Sequence, residues 1–183
     1  MTTVVITGLG ALTPLGNDVA TTWQGLREGR SGIGVIDEDW ASELPVHIAG
    51  SSLVDVTSHL SHVEIRRMDR SSQLAVIAAQ QAWEDAGFTF APQNETDPER
   101  VGVAVGTGIG GLETTVSQWD LVRDGKRRRV SPFAVPALMP NASAANCGLR
   151  IGAKAAVHAT VSACASSNEA ISLGIDMIRL GRA

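Results

Sequence analysis

The stretch Val157–Leu180 constrains the fold more than any other, because an apolar run meets a cysteine there and turns at once into a helix. Val157-His158-Ala159-Thr160-Val161-Ser162 has the β-branched content of a strand. Ala163-Cys164-Ala165 is small enough for a tight turn. Ser166 reads as a helix cap, since Glu169 three residues later completes a capping box. Ile171, Ile175 and Ile178 recur at helical spacing and predict the buried face of that helix. Cys164 is therefore expected beside the unpaired N–H groups of a helix start, which favour a thiolate and can hold a carbonyl oxygen that becomes anionic under attack. That predicts a nucleophilic cysteine. The competing reading is a small buried hydrophobe, and Cys147, in Asn146-Cys147-Gly148-Leu149 with no cap after it, reads as packing.

Over the whole chain strand, glycine loop and helix recur three times, an α/β pattern. Val4–Thr7 reads as a short buried strand ending at Gly8-Leu9-Gly10. Asp18 is placed to cap a helix that runs to about Gly29. Arg30–Ile36 reads as irregular and Val46–Ala49 as an edge strand. Arg70–Ala86 is the clearest helix, with Leu74, Ile77, Ala78, Gln81 and Ala82 as its stripe and Gly87 at its end. A polar loop over Phe88–Arg100 precedes a buried strand, Arg100–Val105, and the loop Gly106–Gly111. Helices are expected over Leu112–Asp124 and from an Asn141 cap to about Leu149. Gly181-Arg182-Ala183 looks like a helix end where an α/β layout would continue with another strand, so the chain reads as one domain over 1–183 that is incomplete at its carboxyl end.

With 183 residues, 44% of them hydrophobic, the chain has material for a sizeable core. A net charge of −4 argues against a general nucleic-acid binder. No apolar run is long enough to span a membrane, and no basic segment followed by an apolar one marks a signal peptide. Two cysteines fit neither a zinc site nor a disulfide framework, which suits a cytoplasmic protein with free thiols.

Gly106-x-Gly108-x-x-Gly111 satisfies a dinucleotide-binding spacing after a strand, although the acidic residue ending a second strand is missing. Its alternative is a loop that lets backbone pass close to a neighbour or a ligand chain. Lys126-Arg127-Arg128-Arg129, and Arg66-Arg67 with Arg70, read either as solvated runs or as a docking surface for an acidic partner. His47, His59, His62 and His158 are scattered and complete no metal site.

Taken together these segments resemble the β-ketoacyl-acyl-carrier-protein synthases. Val4–Gly10 with Thr13-Pro14-Leu15-Gly16 resembles their amino terminus. Gly106–Gly111, Val130-Ser131-Pro132-Phe133, Met139-Pro140-Asn141 and Val161-Ser162-Ala163-Cys164-Ala165-Ser166 follow in the family's order and spacing, over essentially the whole chain. The likeness is to the elongating, type II enzymes of actinobacterial kind. It implies a thiolase-like α/β fold, of which this chain is the amino-terminal half of a layered αβαβα arrangement. It also implies acyl transfer from acyl carrier protein to Cys164, then decarboxylation of a malonyl thioester and condensation, with no cofactor and no metal. Ile109 matches a residue lining the acyl pocket, and Arg66, Arg67, Arg128 and Arg129 match basic positions that meet the carrier protein. The complete enzymes of the family are homodimers.

Two departures accompany the likeness. Ser167 stands where the family has glycine, and none of the four histidines matches those that drive decarboxylation, nor is the supporting lysine present. Three other outcomes are therefore weighed: a non-catalytic partner of chain-length-factor type, which would lack the nucleophile; an inactive truncated product; and a dinucleotide-binding domain.

Overall fold

A computed structural model describes residues 3–183. Helix α1 spans Val19–Arg27, and Asp18 caps it as expected, accepting the Thr21 N–H at 2.7 Å. Strands β1 (Gly34–Val35) and β2 (Ile48–Ala49) form a small antiparallel ribbon, so the stretch expected to be irregular supplies the partner of the expected edge strand. Helix α2 (His62–Ile65) opens on a capping box between Ser61 and Glu64. Helix α3 (Arg70–Asp85) leads to β3 (Gly102–Gly106), α4 (Leu112–Arg123), α5 (Ala134–Leu138), α6 (Ala142–Ile151), β4 (Ala156–Thr160) and α7 (Ser166–Arg179). Gly125, at φ +75, follows the end of α4 as the sequence predicts. Helix α6 runs two residues past its expected end, to a left-handed Gly152, and the Asn141 side chain makes no cap bond.

The parallel pair β3–β4 is the frame of the site, with Gly102 opposite Ala156 and Gly106 opposite Thr160. Alternate residues of a strand point to opposite faces. On one face Val103 and Val157 meet α6, which approaches closely because Gly148 has no side chain. On the other, Gly102 lies under Met177 and Gly106 against the backbone of Ser166, both of α7. The main core lies between α3, α6 and this sheet and contains Val76, Ile77, Val103, Ala144, Cys147 and Ile151.

Four sequence expectations are corrected here. Val4–Thr7 forms no strand and pairs with none among the described residues, and Ile6 is 81% exposed. Further along this segment, the chain is held by α3: the Leu9 N–H donates to Asp85 at 2.9 Å and the Ala11 N–H to Gln81 at 3.0 Å. A Cβ on Gly8 would sit 2.1 Å from the Ala82 carbonyl oxygen, and one on Gly10 2.0 Å from that of Ala78. The expected stripe of α3 thus carries this segment at Ala78, Gln81 and Ala82, while the deepest face is Ser72, Gln73, Val76 and Ile77. Helix α3 is covered on two sides, so a single stripe was too narrow a description.

On α7 the buried face is Ser166, Ala170 and Met177, rotated by about one residue from Ile171, Ile175 and Ile178. This face meets the sheet because the glycines of β3 make room for Met177 and for the backbone of Ser166, and Ile171 is left 62% exposed. The capping box predicted for Ser166 and Glu169 does not form. Ser166 is the first helical residue, Ala165 occupies the cap position, and the Glu169 carboxylate accepts from the Ser162 hydroxyl instead.

The glycine packing predicts a specific loss. Gly10→Ala should lower Tm by roughly 5–10 °C, the scale of an overpacking cost of about 2–3 kcal/mol in a domain of this size. Gly34→Ala, where nothing lies within 4 Å of the added carbon, should leave Tm near its starting value. Thermal denaturation of the two variants checks this, and equal Tm values would show that the amino-terminal segment is not seated on α3.

Candidate active site

Both candidate loops lie beyond the carboxyl ends of β3 and β4, the end of a parallel sheet where open α/β folds place their sites. After Thr160 the chain passes Val161 and Ser162 into a single 3-10 turn, Ala163–Ala165, and then α7. Ala163 has φ +51, the one non-glycine residue with positive φ among those described. A residue with a Cβ holds that conformation only where its surroundings fix it. The result is an exposed Cys164 in the turn at the head of a 14-residue helix, where the Ala165 N–H is taken by the Ser162 carbonyl and the Ser166 N–H by that of Ala163. Ser167, at the second position of α7, is exposed.

The glycine loop runs beside that turn. The Thr107 N–H donates to the Thr160 carbonyl at 3.0 Å, continuing the β3–β4 ladder by one step. The Gly110 N–H donates to Thr107 Oγ1 at 3.0 Å, and the Gly111 N–H to the Leu138 carbonyl at 3.1 Å. Ile109, between these anchors, is 63% exposed.

The chain itself explains three of the loop's glycines. A Cβ would lie 2.4 Å from Ser166 if placed on Gly106, 2.8 Å from Pro140 on Gly110, and 2.5 Å from the Ala137 oxygen on Gly111. Helix α4 packs on α5, while α6 and α7 cover the sheet, so the strand–helix–strand unit of a dinucleotide site is not built here. Close backbone approach is the reading of the glycines that the fold supports.

Cys147 contrasts with Cys164. It is buried in α6 beneath the sheet, and burial pushes its thiol up to about 11, with Arg150 opposing weakly.

Arg66 caps the carboxyl end of α2, and Arg67 places its guanidinium 4.7 Å from the centroid of the Phe133 ring. Phe133 follows closely on the exposed 3-10 turn Arg127–Arg129, so this stacking links the two basic clusters. Among the described residues none of Arg66, Arg67, Arg127, Arg128 and Arg129 is in an ion pair, whereas Arg123 pairs with Asp120 and Lys126 with Asp124.

Asp69 was not singled out by the sequence reading. It is 4% exposed and receives the N–H and hydroxyl of Ser71 through one oxygen and those of Thr114 through the other, at 2.7–2.9 Å. It therefore ties the starts of α3 and α4 together. Burial pushes its carboxyl up, yet these four bonds outweigh that and hold it below the ordinary aspartate value. The Asp-Arg-Ser spacing before α3 was the available signal, since it has the form of a helix cap.

His47, His59, His62 and His158 lie apart, and among the described residues no three of His, Cys, Asp or Glu are grouped to hold a metal ion. No helix of the structure is long and apolar enough to cross a membrane.

Comparison with known proteins settles the ancestry of this turn and loop. The β-ketoacyl synthase N-terminal domain family matches residues 1–183. The chain belongs to that family. It is 40% identical over 181 residues to the 3-oxoacyl-[acyl-carrier-protein] synthase 2 of Staphylococcus aureus, covering 98% of this chain and 43% of that protein. The synthase 2 of Synechocystis sp. matches at the same identity and coverage. Among solved structures, a β-ketoacyl synthase from Burkholderia phymatum superposes with TM-score 0.81 at 28% identity, over 97% of this chain and 44% of that one. The ishigamide ketosynthase/chain length factor superposes with TM-score 0.81 at 25% identity, over 98% and 44%. The fold is accordingly the thiolase-like α/β fold of the ketosynthases, and the chain spans less than half the length of the relatives it matches.

Proposed function

We propose that this chain carries the acyl-accepting part of a β-ketoacyl-acyl-carrier-protein synthase, with Cys164 as the nucleophile. The observation that carries the reading is the placement of Cys164: exposed, on a turn held at positive φ, at the head of α7 and beside the loop that bears Ile109. In the proposed step the Cys164 sulfur attacks the carbonyl carbon of an acyl thioester. The oxygen gains negative charge facing backbone N–H donors, and the carrier's thiol departs with a proton as the new thioester forms on Cys164. Ile109 forms part of the wall along the acyl chain.

The second step requires loss of carbon dioxide from a malonyl thioester and attack of the resulting enolate carbon on the acyl group, which frees Cys164. The side chains bonded around the turn are Ser162, Ser166 and Glu169, with the Thr107 carbonyl, and none is a histidine or lysine that could donate to an enolate oxygen. Condensation by this chain alone is therefore not part of the proposal. A chain-length-factor role is disfavoured by the retained cysteine.

The deciding experiment is acyl transfer from labelled acyl carrier protein to the protein at the length of its relatives, followed by peptide mapping. Label on Cys164, lost in Cys164→Ala, is the expected result. Label on Cys147 would overturn the assignment.

The carrier protein is proposed to dock on Arg66, Arg67, Arg128 and Arg129, whose charge has no ion-pair partner among the described residues. Replacing Arg128 and Arg129 with glutamate should slow association with an acidic carrier protein by roughly tenfold or more at low salt, and added salt should narrow the difference. Association rates measured at two ionic strengths check this, and unchanged rates at low salt would make the run a solvated face.

A further inference from the structure

Ser166 is 3% exposed and holds more of the site together than any other side chain. Its hydroxyl oxygen accepts the Ser162 N–H at 2.9 Å, on the entry side of the Cys164 turn. Its single proton has two carbonyl acceptors, Ala163 at 2.7 Å within the turn and Thr107 at 3.0 Å at the base of the glycine loop. The Thr160 hydroxyl donates to the Ser166 carbonyl at 2.7 Å, and Gly106 lies against the same peptide group. One buried hydroxyl thus touches both sides of the nucleophile's turn and the start of the loop that carries Ile109.

We propose that Ser166 is the positioning residue that locks the Cys164 turn to the Ile109 loop, so that the nucleophile and the acyl-chain wall keep one fixed relation. The inference rests on the reading of Cys164 as nucleophile. Without the hydroxyl, the Ser162 N–H loses its acceptor, the Ala163 carbonyl keeps only the Ser166 backbone N–H, and the Thr107 carbonyl loses its bond to the turn. The alternative is that Ser166 merely fills a buried polar space, as Ser72 does where it meets Ser143 at 3.2 Å between α3 and α6.

The test uses two thiol reagents of different length, iodoacetamide and N-octyl iodoacetamide, on the full chain. Ser166→Ala should slow Cys164 labelling about tenfold, the scale expected for a displaced reacting group, and should change the octyl-to-short rate ratio severalfold. Ser166→Thr keeps the hydroxyl and should restore the ratio, and Ser72→Ala should leave both quantities at the wild-type values. An unchanged rate and ratio in Ser166→Ala, or a loss shared equally by Ser72→Ala, overturns the proposal.

Amide hydrogen exchange provides an arm independent of labelling and of the variant's folding. In the wild-type chain the Ser162 amide should exchange as slowly as the amides of α7, and rapid exchange there overturns the clamp. Wild-type Cys164 that labels no faster than Cys147 would refute the nucleophile reading, while exchange at Ser162 would still decide the role of Ser166.

Discussion

Iodoacetamide should modify Cys164 at least about a hundredfold faster than Cys147 at pH 8, since alkylation follows thiolate population and access. Cys147 is short of both. Cys147 lies between α6 and the sheet, and burial pushes its thiol up to about 11. Three units below that value, only about one Cys147 in a thousand is ionised, and the reagent reaches it only when the core opens. Cys164 is exposed, at the head of α7. The pH dependence carries a second signature. A thiol whose folded value is raised stabilises the fold below the unfolded value of about 9, and that contribution is lost as pH rises towards 11. Cys147 labelling should therefore climb steeply over this window as the fold weakens, and Cys147→Ala should flatten the alkaline fall in stability. Peptide mapping after timed labelling checks the order. Modification of Cys147 first would refute the reading of Cys164 as nucleophile and would mean that α6 is not packed as described.

The sequence reading located the Cys164 turn, the glycine loop and the basic clusters because each is local. A strand, a small-residue turn and a helix are written in consecutive residues, and so is a run of arginines. What it missed depends on residues far apart in the chain. The buried face of α7 was assigned to its isoleucines by helical spacing, but the facing glycines on β3 receive Met177 and the backbone of Ser166 instead. Ser166 was read as a local helix cap. Its actual partners include Thr107, 59 residues away, which periodicity cannot reveal. Asp69 joins α3 to Thr114 over 45 residues for the same reason.

The amino-terminal segment shows the opposite failure. Its composition is that of a strand, yet pairing needs a neighbour, and among the described residues its contacts are with the side chains and backbone of α3. Composition specifies an extended backbone and leaves its partner open.

The site also shows why a parallel pair suits this chemistry. Parallel strands end at the same edge, so the residues after Gly106 and after Thr160 emerge side by side although 54 positions separate them. The ladder continues through Thr107 to the Thr160 carbonyl, and Ser166 then bridges the two loops. Register along β3 and β4 therefore sets where Ile109 stands relative to Cys164.

Condensation by this chain alone should be undetectable, even where Cys164 reacts readily with alkylating agents. Attack by the sulfur requires only a nucleophile and donors for one oxyanion, which the turn and the start of α7 can supply. Decarboxylation places negative charge on a second thioester oxygen, and removing a single donor from such a site typically lowers the rate about 100- to 1000-fold. Here no histidine or lysine is bonded to the turn, and His158, the histidine nearest Cys164 along the chain, lies in β4 and makes none of the turn's hydrogen bonds. For an enolate oxygen left without two such donors, the expected loss is on the order of 10,000-fold or more, below ordinary detection. The measurement is release of labelled carbon dioxide from malonyl carrier protein, run beside alkylation of Cys164 on the same preparation. Labelling of Cys164 without carbon dioxide release separates the two half-reactions as expected. Carbon dioxide release above the rate of a Cys164→Ala control would show that this chain holds an enolate-stabilising donor of its own.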